Sequence, residues 1–538
     1  MYLKNLDKVA VSFFLFIFLI IFGFTYFQIQ SHHWSSGKPF DLTSIYNSLL
    51  IVSGYYQEFR DLPSFTQFFL HGSIYKLVSF LDTDIPRNIE IYLNSDNKDI
   101  VIQKLFIISR YLNSFFYFIF CIYFFKLLNF YKVNKLFIYL SILFLFTIDS
   151  IIYGLTRIRP DVLCILFFTL SYYNLQLFFK IKKINLLFLS FLFLFLSLMS
   201  KIQAILFFPL ILLNIIFNIK EIKNKDLNKF NYRFDLNIKY IFLFFLILYL
   251  SYFFLQIYIN NHPRFVSSNF IDLKIITISA ILFTIFFNIF YNNSKHKYLT
   301  IKILFYFIIS FIASLLLFQF LNLINIIKLS PYILLRLTNP FSYLTIATTL
   351  VNGESNIFSV YFFKLFSLAN INFNIFLFYF FQIIFGFYFI YNFYKLKKIN
   401  FYLLCLFLFF NFIILTYNFR YFTLYSIYSF FFFFFITGIF LNYINSKKIK
   451  YFMIVVIFVL TSFPKEVSPT KSIFFNFQSF YIDYFKKESK LKLICKTKKL
   501  RFKYWWWARK HDENFWKSIC EQNNYEFLET NKIIKEIY

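Results

Sequence analysis

The chain has 538 residues, of which 59% are hydrophobic and 92 are Phe, and its formal net charge is +30. A soluble domain of this length cannot bury so much apolar surface, whereas a bilayer accepts apolar helices of about 20 residues. The composition therefore excludes a soluble protein and predicts an all-α polytopic membrane protein.

Apolar stretches in chain order predict about 13 transmembrane helices. The last stretch is the shortest and reaches only about 20 Å at a rise of 1.5 Å per residue, which is less than the roughly 30 Å hydrocarbon core. If it does not cross, the segment after it is cytoplasmic. The predicted spans are about 9–29, 105–126, 134–149, 161–179, 184–200, 202–219, 240–260, 270–291, 301–326, 372–394, 399–417, 422–444 and 451–463.

Basic residues between these spans cluster on every second loop, as at Lys180, Lys182 and Lys183. Cytoplasmic loops carry the excess of Lys and Arg, so the pattern places the N-terminus in the cytoplasm. The long loops at about 30–104 and 327–371 then face outward. The chain divides into a transmembrane domain, 1–463, and a basic, Trp-containing extramembrane segment, 464–538.

The first outward loop is rich in polar and turn-forming residues. Apolar residues three or four apart predict two amphipathic helices along the membrane interface, over 43–60 and 64–81. Asp41 precedes the first of them, and an Asp at such a boundary is a common helix N-cap. A structural and a catalytic role for Asp41 therefore both stay open.

The C-terminal segment is basic from Lys486 to Lys510 and contains Trp505, Trp506 and Trp507. This combination predicts either a surface-lying membrane segment or a small α/β domain that caps the active site. Cys495 and Cys520 lie in this segment and are expected to form a disulfide if it is extracytoplasmic. Cys121, Cys164 and Cys405 lie in apolar stretches and are expected to be core residues.

Few ionisable residues fall deep inside the predicted spans, where buried charge is costly and persists for function. The unusual charged residues lie instead at outward ends of helices and in outward loops. This distribution favours an enzyme at the membrane surface over a carrier.

Several short motifs follow one another in a fixed order. They are Asp41 with Tyr46 and Gly54, Asp61-Leu62-Pro63, Arg110-Tyr111-Leu112 opening the second span, Arg157-Ile158-Arg159-Pro160-Asp161, Ser200-Lys201-Ile202-Gln203 and Arg420-Tyr421. Together they resemble the GT-C superfamily of membrane glycosyltransferases, which includes protein O-mannosyltransferases and lipid A aminoarabinose transferases that use polyprenyl-phosphate sugars. The resemblance covers about residues 1–220, and beyond them it rests on topology.

The resemblance implies an inverting transfer with Asp41 as general base. It also implies that outward residues at helix ends and in the first loop bind the substrates. Among them, the basic residues stabilise the phosphate of the departing polyprenyl group. For the basic residues the alternative is snorkelling to lipid headgroups. Asp161 is expected to pair with one of the arginines and hold it. The implied binding residues are Tyr46, Asp61, Arg157, Arg159, Asp161, Lys201 and Arg420.

No cofactor is expected. His32 and His33, beside Trp34, could form a divalent-metal site together with Asp41. Adjacent His side chains point in different directions, however, so a role in anchoring the chain at the membrane interface is favoured. With 8 Gly overall, nucleotide binding is not expected, nor is a nucleic-acid partner. Glu354 is a further candidate for contact with the acceptor.

The expected partners are a polyprenyl-phosphate sugar, a cell-envelope acceptor (lipopolysaccharide, glycan or protein) and membrane lipids. The expected location is the bacterial inner membrane, with the active site facing outward. Two alternatives stay open, an O-antigen-type polymerase or ligase and a flippase or transporter of a lipid-linked glycan. The first predicts key Arg and His residues in a late loop, and the second predicts charges inside the spans.

Overall fold

The computed structural model describes residues 8–31, 39–55, 64–95, 97–146, 158–181, 183–201 and 446–462, together with single residues within 204–215, 428–444 and 517–526. Within these residues the structure is helical and contains no strand. The helices are α1 (Lys8–Ser31), α2 (Pro39–Val52), α3 (Phe65–Val78), α4 (Ile89–Leu93), α5 (Lys98–Phe130), α6 (Lys135–Leu145), α7 (Asp161–Ile181), α8 (Ile184–Ser200) and α9 (Lys447–Ser462).

Three of the described helices are long and apolar enough to cross a membrane. The qualifying stretches are Lys8–Phe27 in α1, Ile100–Phe130 in α5 and Asp161–Ile181 in α7. They coincide with the first, second and fourth predicted spans, so the helical, membrane-type architecture is confirmed here. Most of the predicted spans between 202 and 444 lie outside the described residues, and the total of about 13 stays a prediction.

The longest described helix, α5, is the centre of the packing and contacts α1, α2, α3, α4, α6 and α7. It ends at a tight connection in which Lys132 adopts a left-handed backbone with φ 56°. Asn134 then caps α6, its side-chain oxygen accepting the backbone N–H groups of Leu136 and Phe137 at 2.9 and 3.4 Å. This connection turns the chain back, so that α6 packs against α5.

The larger apolar cluster, here called the bundle core, is formed by buried residues of α1, α5, α6, α7 and α8 with residues near 430. Aromatic rings fill much of it. The rings of Phe120 and Phe124 stack with centroids 5.7 Å apart, and Phe431 packs against Phe124 at 5.1 Å. The late part of the chain therefore completes the core that the first helices begin.

Helices α2 and α3 stand where the two interfacial helices were predicted, but α2 differs in its boundaries and its surroundings. It begins at Pro39, a residue favoured at the first helical position, and Gly54 with φ 77° follows its end. Its described side chains at 41, 42 and 44–52 are all buried. The prediction of an amphipathic helix that lies along the membrane interface is therefore wrong for α2, because neighbouring helices cover its polar residues.

A second apolar cluster, here called the loop cluster, joins α2 and α4 to the beginning of α5. It also contains Cys520 from the C-terminal segment. Its buried members are Leu42, Ile45, Tyr46, Leu49, Leu50, Tyr75, Ile85, Ile89, Tyr92, Val101, Ile102, Leu105, Phe106, Ile158 and Cys520.

The cysteines follow the expected division between core and tail where the structure describes them. Cys121 and Cys164 are buried free thiols. Cys520 is disulfide-bonded. Its partner lies outside the described residues, as does Cys495, so the specific pairing stays a prediction.

The last described helix, α9, has 16 residues and packs against α6. At 1.5 Å per residue it is about 24 Å long, longer than the stretch predicted to cross but still short of the roughly 30 Å hydrocarbon. Its crossing therefore stays a prediction.

Candidate functional site

Asp41 lies in the first turn of α2, and its carboxylate reaches across to the segment before α7. Oδ1 accepts the backbone N–H of Ile158 at 2.8 Å. Ser44, one turn later, donates its hydroxyl to the carbonyl of Ile158 at 3.2 Å. Helix α2 therefore holds both polar groups of residue 158. The N-cap alternative for Asp41 is wrong, because α2 already begins at Pro39.

Asp161 is the first residue of α7 and links two cations. Its Oδ2 accepts the Nε–H of Arg159 at 3.0 Å, and its Oδ1 accepts the ammonium of Lys201. The Tyr428 hydroxyl donates to the same Oδ1 at 3.1 Å. The expected pairing of Asp161 with an arginine is thus present, and it extends to Lys201 and to the late part of the chain.

The four residues Asp41, Arg159, Asp161 and Lys201 are here called the Asp41–Lys201 site. All are shielded from solvent, with exposed fractions of 1%, 7%, 4% and 0%. Asp161 forms ion pairs with both Arg159 and Lys201, which favours their burial, because an unpaired buried charge is strongly destabilising. Burial lowers the pKa of Lys201 to about 8, while the charge of Asp161 opposes this shift.

This burial distinguishes Lys201 and Arg159 from lysines and arginines that merely reach for lipid headgroups. A snorkelling side chain keeps its charged end in water. The Lys201 side chain is 1% exposed and ends on a buried carboxylate. The snorkelling alternative is therefore wrong for Lys201, and the 8% exposure of the Arg159 side chain argues the same for Arg159.

The remaining predicted site residues are not part of this arrangement where they are described. Tyr46 is 2% exposed and lies in the loop cluster. It follows Asp41 by five residues, which is about 140° around a helix, so it projects from another side of α2. Residues Asp61, Arg157, Arg420, His32, His33 and Glu354 lie outside the described residues.

Tyr428, which bonds to Asp161, was not predicted from the sequence, because it lies far along the chain and no local motif marks it. Arg110, a motif residue expected to open the second span, lies within α5, about 18 Å along the helix from its beginning at Lys98. Its guanidinium carbon lies 4.0 Å from the centroid of the Phe106 ring, and the residue is 1% exposed.

A polar face of α3 was missed as well. Gln67, His71 and Tyr75 are four residues apart and all buried, a spacing that places them on one face of the helix. Tyr75 shares a short hydrogen bond with Ser109 of α5. Burial lowers the pKa of His71 to about 3, because it penalises the charged imidazolium. The imidazole is therefore neutral at physiological pH.

Metal binding finds no support in the described part of the chain, where no group of three or more His, Cys, Asp or Glu side chains is placed to hold an ion. Asp41 and Asp161 instead accept hydrogen bonds from nitrogen donors of the chain itself. The chemistry that this site offers is that of carboxylates and cations.

Comparison with protein-family models, with curated proteins and with solved structures yields no match to this chain. The resemblance to membrane glycosyltransferases therefore rests on the sequence motifs alone. The function must be argued from the chemistry of the Asp41–Lys201 site.

Proposed function

We propose that the chain is a membrane glycosyltransferase that moves a sugar from a polyprenyl-phosphate donor to a cell-envelope acceptor. The observation that supports this most is that Asp41 contacts the residue directly preceding Arg159 in the sequence. A carboxylate thereby contacts the chain segment that carries Arg159, and Arg159 shares Asp161 with Lys201 at the beginning of an apolar helix. Transfer from a lipid phosphate requires both kinds of group.

In this proposal Asp41 is the general base. The acceptor hydroxyl attacks the anomeric carbon while its proton passes to the Asp41 carboxylate, and the bond from that carbon to the phosphate oxygen breaks. A single displacement inverts the anomeric centre. A carboxylate accepts about four hydrogen bonds, so the bond from Ile158 orients Asp41 while the group remains an acceptor.

Arg159 and Lys201 supply positive charge for the departing polyprenyl phosphate. Cations held in place before the reaction stabilise developing negative charge at little reorganisation cost. Asp161 is the positioning residue, because it bonds to both cations and fixes them relative to α7. In the proposed orientation this end of the helices faces outward, and the N-terminus is cytoplasmic.

One observation favours a second candidate, a flippase for a lipid-linked glycan. Arg110 lies within the Ile100–Phe130 stretch that is apolar enough to cross the membrane, and it is buried. Ionisable residues within spans often line substrate pathways. The two candidates differ in chemistry, since a flippase moves the lipid-linked glycan without breaking the bond between sugar and phosphate.

The test is transfer of radiolabelled sugar from polyprenyl-phosphate donors by membranes that contain the wild-type chain or Asp41→Asn at matched protein levels. The amide can still accept the Ile158 hydrogen bond but cannot take a proton. We expect transfer by the wild type and a loss of at least ~100-fold in the variant. Asp84→Asn is the matched control, because the Asp84 side chain is 67% exposed.

Equal activity of wild type and Asp41→Asn would contradict the role of Asp41 and leave the enzyme class standing. Translocation of intact donor without sugar release would contradict the transferase and support the flippase.

A further inference from the structure

The end of α3 carries the most exposed large apolar side chains of the described residues. Leu81 is 90% exposed and Phe80 is 70% exposed, which is more than any large apolar side chain described on the three helices that can cross a membrane. Leu77, in the last turn of α3, is 60% exposed. Grouped exposed apolar side chains mark contact with a partner or a membrane. These three residues are here called the apolar tip.

The backbone of the apolar tip makes its hydrogen bonds within the turn. The N–H groups of Leu81 and Asp82 both donate to the carbonyl of Val78, at 2.8 and 2.9 Å. The N–H of Phe80 donates to the carbonyl of Leu77 at 3.3 Å. A segment that enters lipid must satisfy its own backbone donors, because hydrocarbon offers no acceptors. The N–H groups of the turn therefore already meet the condition that lipid imposes.

An ion group fixes the apolar tip to α5 at a defined depth. Directly after the tip, Asp82 and Asp84 pair with Lys104 of α5 at 2.9 and 2.8 Å. Lys126, the last cation of α5, lies about 33 Å from Lys104 along the helix. This length matches the roughly 30 Å hydrocarbon core. In a bilayer that α5 crosses, Lys104 and the tip beside it therefore lie where hydrocarbon meets the headgroups.

Basic side chains flank the apolar tip. The guanidinium carbon of Arg87 lies 5.1 Å from the centroid of the Phe80 ring, and Arg87 is exposed. Lys76, in the last turn of α3, is partly exposed. Segments that bind membrane surfaces combine apolar side chains in the lipid with basic side chains that reach the phosphates. The end of α3 has this combination.

We propose that the apolar tip inserts into the outer leaflet of the membrane, where its three side chains contact acyl chains and Arg87 lies at the level of the lipid phosphates. Lipid is the occupant because the tip lies at the depth of the bilayer edge and has cations at its rim. An amphipathic helix lying flat would turn its polar side to water, whereas Gln67 and His71 of α3 are buried. The end of α3 makes the contact, and the proposal does not depend on sugar transfer.

The test is electron paramagnetic resonance of the full-length protein in vesicles of phosphatidylethanolamine and phosphatidylglycerol, with a nitroxide attached to Leu81→Cys. Collisions with oxygen report lipid, and collisions with a water-soluble nickel chelate report water. Asn94→Cys is the matched control, because Asn94 is exposed and lies between α4 and α5. We expect the ratio of oxygen to nickel collisions at Leu81→Cys to exceed that at Asn94→Cys at least ~10-fold, because hydrocarbon excludes the polar chelate.

The wild type, labelled in parallel, gives the background from native thiols, of which Cys121 and Cys164 are buried. Phe80→Cys should show the same high ratio, and it decides the question if Leu81→Cys does not accumulate. Frequent nickel collisions at the tip would show that water surrounds it, and rare collisions with both agents would show that protein covers it. Either result would overturn the proposal.

Discussion

The bundle core and the Asp41–Lys201 site are both buried, but different interactions hold them together. In the bundle core, aromatic rings such as Phe120, Phe124 and Phe431 pack in stacked or tilted arrangements. At the site, Asp161 forms ion pairs with two cations, Arg159 and Lys201, that burial would otherwise make costly. Apolar packing tolerates changes that preserve shape and volume, whereas a buried ion group tolerates loss of a partner poorly. The two regions should therefore fail in different ways.

The largest loss of stability is expected at the site. Asp161→Ala leaves Arg159 and Lys201 buried next to each other without their shared carboxylate, and breaking such a group costs about 3–5 kcal/mol. Thermal unfolding in detergent measures the effect. Asp84→Ala is the matched control, since Asp84 is an exposed acid paired with Lys104, and it should change little. Equal stability of both variants would contradict the buried ion group.

A comparable but more variable loss is expected in the bundle core. Phe120→Ala removes a fully buried ring, and such truncations cost about 3–5 kcal/mol, less where the neighbours collapse into the space. Phe115 on the same helix is 47% exposed and provides the control. If Phe115→Ala destabilises the protein in detergent as much as Phe120→Ala, the assignment of the packed face of α5 is wrong.

A smaller effect is expected where α2 crosses α3. A Cβ on Gly72 would collide with the backbone carbonyl oxygen of Ser48 and the side chain of Val52. Gly72→Ala should therefore force α2 and α3 apart at a cost of about 1–3 kcal/mol. Gly23→Ala is the matched control, because a Cβ there meets no described atom within 4 Å. The thermal unfolding midpoints of both variants are measured in the same assay. A midpoint of Gly72→Ala equal to that of the wild type would contradict the close crossing of α2 and α3.

The effect that is smallest near neutral pH is a dependence of stability on pH through His71. Its pKa is lowered to about 3 by burial, below the usual value of about 6.5, so the unfolded chain binds the proton more readily. Stability should therefore fall as the pH drops from about 6.5 towards 3, by up to about 1.4 kcal/mol per unit. His71→Gln should flatten this dependence in unfolding measured across that range. If His71→Gln shows the same slope of stability against pH as the wild type, titratable groups other than His71 cause the dependence.

The sequence predicted the helices better than their surroundings. Long apolar stretches and charged loops located α1, α5, α7 and α8, and most of the predicted helix ends lie within a few residues of the observed ones. Hydrocarbon thickness and helical rise together limit how long such a helix can be. The sequence did not predict that α2 is buried, since the spacing of apolar residues cannot show which neighbours cover a polar face. Arg110 lies inside α5 and not at its beginning, because the helix starts at Lys98, before the apolar stretch that predicted the span.

The grouping of Asp41, Arg159, Asp161 and Lys201 was only partly predictable. The sequence marked each residue by its place at a helix end, and it anticipated an ion pair between Asp161 and an arginine. The bond between Asp41 and the N–H of Ile158 spans 117 positions in the chain, and only the three-dimensional packing of α2 determines it. Tyr428 illustrates the same limit, since its partner Asp161 is 267 positions away.

The most direct test of the account is a double-mutant cycle in the radiolabelled transfer assay, with Asp41→Asn, Lys201→Gln and the combined variant at matched protein levels. If the base and the cation act on one displacement, each single change should lower transfer at least ~100-fold, and the pair should lose little more than the worse single variant. Losses that multiply in the double variant, or transfer unaffected by either change, would contradict a single site built from Asp41 and Lys201.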